Sequence, residues 1–397
     1  MTAAAMVTML VAVGIEGSAI AVLTIGFVFA PLNDVRPIPA LTFVTASDVC
    51  LLVATLLLAP GLLMKKVQPQ VLFLAAAGCL VAVGLISSVA NPEPFVNLNI
   101  MLRLVVGALL LPVLFMLWRP PRAVLVTFAI AYVAGNVVNV VQSVAFGATS
   151  FENRYIGLTT HPNVLGLCAL LGLALVPFIY QELPKAYAWI VVGAGGTCAY
   201  GIWISGSRAA LLVAVAVAVL YPVLSKSIET AVLLFGVSIL PAYVVGRILT
   251  SGEVQNNILG RLVGGGSASA SDQVREQVAQ KALDKFLANP IVGGGFGEVL
   301  EAHNVYLQIA AACGLVGAVF YVILLVAVVR QPFMLGSSNL LLALPCMSYI
   351  MIGLMTPLIW DRYIWCVLAL PFLVPLLDKS AVDDPLSLEP ALSKESS

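Results

Sequence analysis

The chain is 397 residues long, 61% hydrophobic and 10% charged, with 19 basic and 19 acidic side chains. Soluble domains carry roughly 25% charged residues, so a mean hydropathy of +1.06 leaves too little polar surface to cover a water-soluble globule. Zero net charge argues against nucleic acid as a partner, and two histidines with seven cysteines set in apolar runs argue against a metal centre or a disulfide framework.

A membrane-spanning helix needs ~20 mostly apolar residues, and such runs fill the chain. They are continuous, as in LLVAVAVAVLYPVL, and lack the alternation of a transmembrane β-barrel. The predicted fold class is therefore all-α, a polytopic membrane protein of about twelve helices with one large outer-face loop. Cutting at proline, charge and turn clusters puts the spans near 4–30, 42–63, 70–90, 98–118, 123–145, 161–180, 187–205, 208–224, 229–249, 303–329, 338–357 and 362–377. The first run has neither a basic start nor a small-residue cleavage site, so it reads as a retained span. Residues 1–377 form one transmembrane domain in this reading. Into it is inserted a hydrophilic stretch, 250–302, and after it comes a polar, serine-rich tail, 378–397, expected to be disordered.

Basic residues in short loops set the orientation. With both termini cytoplasmic, the inner loops hold Lys65, Lys66, Arg119, Arg122, Lys185, Lys226 and Arg330, and the 250–302 insertion falls on the outer face. The cations at or near that face are mostly arginines: Arg36, Arg103, Arg154, Arg208, Arg247, Arg261, Arg275 and Arg362. Guanidinium groups fork onto phosphate or carboxylate oxygens where lysine acts as a point charge. That asymmetry points to an anionic ligand bound from outside, against the alternative of scattered interface anchors.

Glu16 falls mid-span without a visible reason, and Asp48 with Arg103 is expected to pair across the outer ends of the second and fourth spans. The loop FENRYIGLTTHPN carries Arg154, His161 and Asn163 just ahead of a helix that Pro162 suits at its first turn. WISGSRAALL places Arg208 at a tight turn between two spans, where a charge is costly unless it faces a cavity, a partner or the interface. The helix predicted at 273–288 is amphipathic. Val274, Val278, Ala282 and Phe286 form one line, Gln277, Lys281 and Lys285 the opposite face, and Arg275 points toward the protein body from the first turn. Arg261, in the same loop, competes with Arg275 for an anion-binding role.

The segment ANPIVGGGFGEVLEAHNVYLQIAAACGLVGAVF carries the most chemistry. A Pro/Gly turn and an acidic pair precede His303 and Asn304, where a long apolar helix begins. An imidazole with its ordinary pKa near ~6.5 can take a hydroxyl proton near neutral pH. The plainer alternative is a helix-boundary histidine. Asn304 and Gln308 are expected to share a helical stripe, with Tyr306 one turn from His303.

Taken in order, RYIGLTTHPNVLG, SGSRAALL and NPIVGGGFGEVLEAHNVYLQIAAACGLVGA resemble the O-antigen ligase and O-antigen polymerase superfamily over residues 150–330. The resemblance implies an enzyme of the bacterial inner membrane acting at its outer face. It would take a glycan from an undecaprenyl-diphosphate carrier and transfer it to an acceptor hydroxyl without metal or cofactor. The acceptor is a lipopolysaccharide core in ligases and another carrier-linked repeat in polymerases. Carried over residue by residue, the roles are base for His303 and diphosphate clamp for Arg208 and Arg275, with Arg261 as the competitor. Arg154, His161 and Asn304 are candidates to touch substrate. The expected partners are that donor, a glycan or glycolipid acceptor, and the bilayer, with no nucleic acid. A sibling activity, repeat-unit polymerase or protein O-oligosaccharyltransferase, is the first alternative. A secondary transporter of an organic anion is the more remote one, disfavoured by the lack of an internal repeat and by polar residues gathered at one boundary.

Overall fold

The computed structural model describes residues 3–37, 44–62, 70–147, 149–150, 154–226, 268–297, 302–359 and 361–375, with side chains omitted before Val13 and over 268–271. Among these residues the chain is helical, with one isolated antiparallel bridge between Thr149 and Tyr155. The helices are α1 (Ala3–Phe29), α2 (Ala46–Leu62), α3 (Val71–Ala90), α4 (Pro94–Trp118), α5 (Arg122–Phe146) and α6 (Pro162–Glu182). There follow α7 (Ala188–Ser205), α8 (Arg208–Ser225), α9 (Ala268–Ala288), α10 (Val305–Met334), α11 (Ala343–Ile352) and α12 (Arg362–Ala369).

Among the described residues seven helices, α3 to α8 and α10, are long and apolar enough to cross a bilayer. The other five of the about twelve expected spans are shorter, interrupted or outside the described residues, α2 being an apolar helix of 17 residues. Helix α1 breaks at Gly14, where φ is 73° and ψ 178°, leaving the shorter apolar stretch Val13–Phe29. The spans expected at 338–357 and 362–377 are divided into α11 and α12 by 3-10 turns at Ser337–Leu342 and Leu370–Leu373 and by the irregular chain between them. The span expected at 229–249, most of the 250–267 insertion, Arg247, Arg261 and the tail 378–397 lie outside the described residues.

In lipid the hydrophobic effect does not drive helices together, so close packing and interhelical hydrogen bonds must. Phe27, Phe115 and Phe128 stack between α1, α4 and α5, with Phe27 and Phe128 centroids 4.7 Å apart. Gly135 lets α5 touch α1, because a Cβ there would lie 2.1 Å from the Val28 carbonyl oxygen. The Gly14 break also explains Glu16. It falls in the first turn of the straight segment, not mid-span, and its carboxylate accepts from Trp118 Nε1 at 2.9 Å.

Polar groups sort to the two ends of the bundle. At one end Arg122 donates to Glu182 (2.6 Å) and Asn339 (2.9 Å), tying α5, α6 and the turn before α11. At the other lie Arg36 with Asp34, Asp48 with Arg362, and Arg208 with Asp272. The expected Asp48–Arg103 pair is corrected here. Asp48 accepts from the backbone N–H and hydroxyl of Thr45 and meets the first residue of α12, Arg362, while Arg103 turns along its own helix to Asn99 (3.1 Å).

Candidate functional site

The turn between α7 and α8 sets the first arginine. Gly206 ends α7 with φ 62°, Ser207 caps α8 by accepting from the Ala210 N–H, and Ser205 Oγ accepts from the Ser207 N–H. This tight Ser-Gly-Ser corner sits in a notch of α6 left by Gly166, where a Cβ would stand 2.7 Å from Ser205 Oγ and 2.8 Å from Ser207 Cβ. Arg208 is thereby held as the first residue of α8. A cation opposes the dipole of its own helix there, a cost that an anion bound at the helix N-terminus would offset.

In the structure the anion between the arginines is a side chain. Asp272 of α9 meets Arg208, and its Oδ1 lies 3.6 Å from Arg275 Nη1. Both arginines, with Asn163, Met355 and Thr356, line a narrow cleft. The sequence expectation for α9 needs two corrections. The helix begins at Ala268 and not at 273, since serine and alanine extend it, so Arg275 lies beyond the first turn and the dipole argument belongs to Arg208 instead. Its buried face is also rotated: Val274 is 57% exposed, while Ala282 and Phe286 pack on Ala302, Leu307 and Ala311. Lys285, expected to face water, lays its stem against Gly294.

Arg154 lies beneath the cleft, 4% exposed. Its Nε donates to the Ser205 carbonyl at the end of α7, and its Nη2 donates to Asn163 Oδ1 at 2.8 Å. A buried cation on a helix C-terminus and on a cleft-lining amide positions the site from behind. His161 caps α6, its Nδ1 accepting from the Asn163 N–H at 3.1 Å, with Pro162 at the first turn as the sequence suggested.

His303 sits in the bend before α10 with φ 49°. Left-handed backbone is uncommon outside glycine, costs ~1–3 kcal/mol where context imposes it, and gathers at functional sites. Asn304 is the N-cap of α10, its Oδ1 accepting from the Leu307 N–H at 3.0 Å, so the expected stripe with Gln308 does not form. The Val305 N–H donates to the Gly353 carbonyl at 2.8 Å. Gly353 leads directly to Met355 and Thr356 in the wall of the arginine cleft, so one short segment links the His303 bend to that cleft. Tyr306 donates to the Ile350 carbonyl in the same region.

The Pro/Gly turn has a partner that the sequence did not reveal. Gly314, with φ 67° and ψ −171°, breaks α10 two to three turns in. The break frees backbone groups, and the turn takes them up. Gly294 and Gly295 donate to the carbonyls of Ala311 and Ala312, and the Leu315 N–H donates to the Pro290 carbonyl. Ser87, Asn91 and Asn97, from the α3–α4 corner, bond the same turn. Non-helical backbone at this depth is tolerated because every group named here is satisfied by protein. The glycines of NPIVGGGFG were visible as a turn; their seat on α10 was not, because Gly314 lies inside an apolar run.

Arg261 and the acidic pair of Glu298 and Glu301 lie outside the described residues. Among the described residues no three His, Cys, Asp or Glu side chains come together as metal ligands. Residues 193–322 match the family model described as O-Antigen ligase. The matched stretch contains Arg208, Arg275 and His303 and leaves out Arg154 and His161. No curated protein matches the chain.

Proposed function

We propose that this chain, a member of the O-antigen ligase superfamily through its residues 193–322, transfers a glycan from an undecaprenyl-diphosphate carrier to an acceptor hydroxyl at the outer face of the bacterial inner membrane. One observation carries the reading. Arg208 and Arg275, on different helices, converge on a single carboxylate at a cleft, and Gly353, two residues before the cleft-lining Met355, accepts a hydrogen bond from Val305, two residues after His303. Asp272 occupies the position that a diphosphate oxygen takes when the donor binds.

The chemistry needs these parts. His303 accepts the proton of the acceptor hydroxyl as its oxygen bonds to the anomeric carbon. The bond from that carbon to the carrier diphosphate breaks, and the electron pair leaves with the diphosphate. Charge developing on the leaving oxygens is met by the two guanidinium groups and the N-terminus of α8, fixed before reaction by the Ser205–Ser207 corner and Arg154. Arg154 and His161 support Asn163 and the cleft in this scheme and do not contact the reacting atoms.

The test is transfer in vitro from a synthetic undecaprenyl-diphosphate glycan by the purified full chain. Product formed by wild type and lost with Arg208→Lys supports the reading; no product with any glycan or glycolipid acceptor overturns it. A deletion strain separates the siblings. Retained carrier-linked polymer with none on the surface identifies a ligase, and shortened chains identify a polymerase.

A further inference from the structure

We infer that a cavity between the start of α3 and the end of α10 binds the phosphate of an anionic phospholipid, at the end of the bundle opposite the Arg208–Arg275 cleft. Helix α10 begins beside the His303 bend and carries this cavity on its last two turns, Ala327–Met334. The other wall is Gln70–Phe73, where α3 begins. The volume is about 200 Å³, several times the ~30 Å³ share of a water molecule.

Three kinds of donor meet here without an acceptor among the described residues. Gln70 gives α3 no side-chain cap, and the first helical bond runs from the Leu74 N–H to the Gln70 carbonyl at 3.0 Å. The N–H groups of Val71, Leu72 and Phe73 ahead of it form the positive end of a 20-residue helix. Arg330 lines the cavity exposed, and among the described residues no ion pair or hydrogen bond holds its guanidinium. Gln331 is the most telling. It lines the cavity at 2% exposure, and its Nε2 has no hydrogen-bond partner. A buried amide donor left unpaired is costly, and an entering acceptor relieves that cost. Among the described residues no aspartate or glutamate lines the cavity, so nothing in its wall offsets the arginine.

Helix N-termini and guanidinium groups both suit phosphate, and the rim shows which kind. Val71 is 70% and Phe333 49% exposed, with Leu72 and Met334 also open, all at the ends of two spanning helices. An apolar rim at the end of a span borders acyl chains, so the phosphate is one carried by a lipid. In the proposed orientation this is the cytoplasmic leaflet, where basic pockets between spanning helices take anionic head groups. A lipid seated there ties α3 to α10. The same two helices hold the Pro/Gly turn at their other ends, through Ser87 and the Ala311 and Ala312 carbonyls.

The experiment replaces Phe333, one turn from Arg330, with photoreactive benzoyl-phenylalanine in the full chain, in nanodiscs of equal phosphatidylglycerol and phosphatidylcholine. Expected is capture of phosphatidylglycerol about tenfold over phosphatidylcholine, equivalent to ~1.4 kcal/mol, a preference abolished by Arg330→Gln. Gln331→Leu separates binding from folding. It removes the unpaired donor, so the melting temperature in phosphatidylcholine alone should hold or rise, while the further rise on adding phosphatidylglycerol should shrink. Equal capture of the two lipids, no capture, a preference unchanged in Arg330→Gln or a full rise retained in Gln331→Leu overturns the site. Complete displacement by excess inorganic phosphate also overturns the proposal, because the ligand would then be the free anion. None of these readouts depends on glycan transfer, so the site stands or falls apart from the donor reading.

Discussion

At the scale of single residues, His303 offers a way to separate stability from chemistry. Its left-handed backbone is one that glycine adopts freely. His303→Gly should therefore keep or slightly raise the melting temperature, by up to the equivalent of about 1 kcal/mol, while transfer falls about 10²–10⁴-fold, the usual cost of a lost general base. A merely structural histidine would lower both together. His161→Ala removes the cap on α6 and should cost about 1 kcal/mol of stability with modest loss of rate. If the His161 variant alone were inactive, the wrong histidine has been assigned as base. The arginines are tested by a change that keeps charge. Arg208→Lys and Arg275→Lys should each lose most activity and bind undecaprenyl diphosphate more weakly, because a point charge does not reproduce a forked contact. Near-normal turnover in both would reduce them to interface anchors.

At the scale of elements, the decisive contact is the Pro/Gly turn on the broken helix α10. Any residue but glycine at 314 meets a positive φ, worth ~1–2 kcal/mol, and places its Cβ 2.1 Å from the Ile291 carbonyl oxygen. Gly314→Ala should lower the yield of folded protein and shift its melting temperature down by several degrees. Gly78→Ala, where nothing lies within 4 Å, is the matched control and should be neutral. An unchanged melt for Gly314→Ala would mean that the turn does not need this seat. The same contact governs the site, since α9 and the turn flank it and α9 is anchored to α10 by Ala282 and Phe286. Sequence periodicity named those two anchors correctly and misplaced Val274, because an amphipathic strip is broad and only the partner surface selects its centre.

For the whole molecule, the bias of basic residues toward one set of short loops predicts one topology. A reporter active only outside the cytoplasm, fused within 262–270, should be active, and one fused directly after Lys226 should not. The reverse pattern would place the arginine cleft on the cytoplasmic side and remove the proposed donor from reach.

Hydropathy is a local property that the bilayer reads segment by segment, so the sequence alone determined the membrane class, the all-helical architecture and the positions of seven long spans. Motif order offered Arg208, Arg275 and His303 as candidates, with Arg261 as the competitor of Arg275. Tertiary structure decided what those residues meet. It joined the two arginines through Asp272, placed Asn304 in a cap and Arg154 under the cleft, and gave Asp48 to Arg362 in place of Arg103. It also broke α1 at Gly14 and α10 at Gly314 inside runs that read as continuous. The reason is the same in each case. These are contacts between segments far apart in the chain, and no window of local periodicity contains both partners.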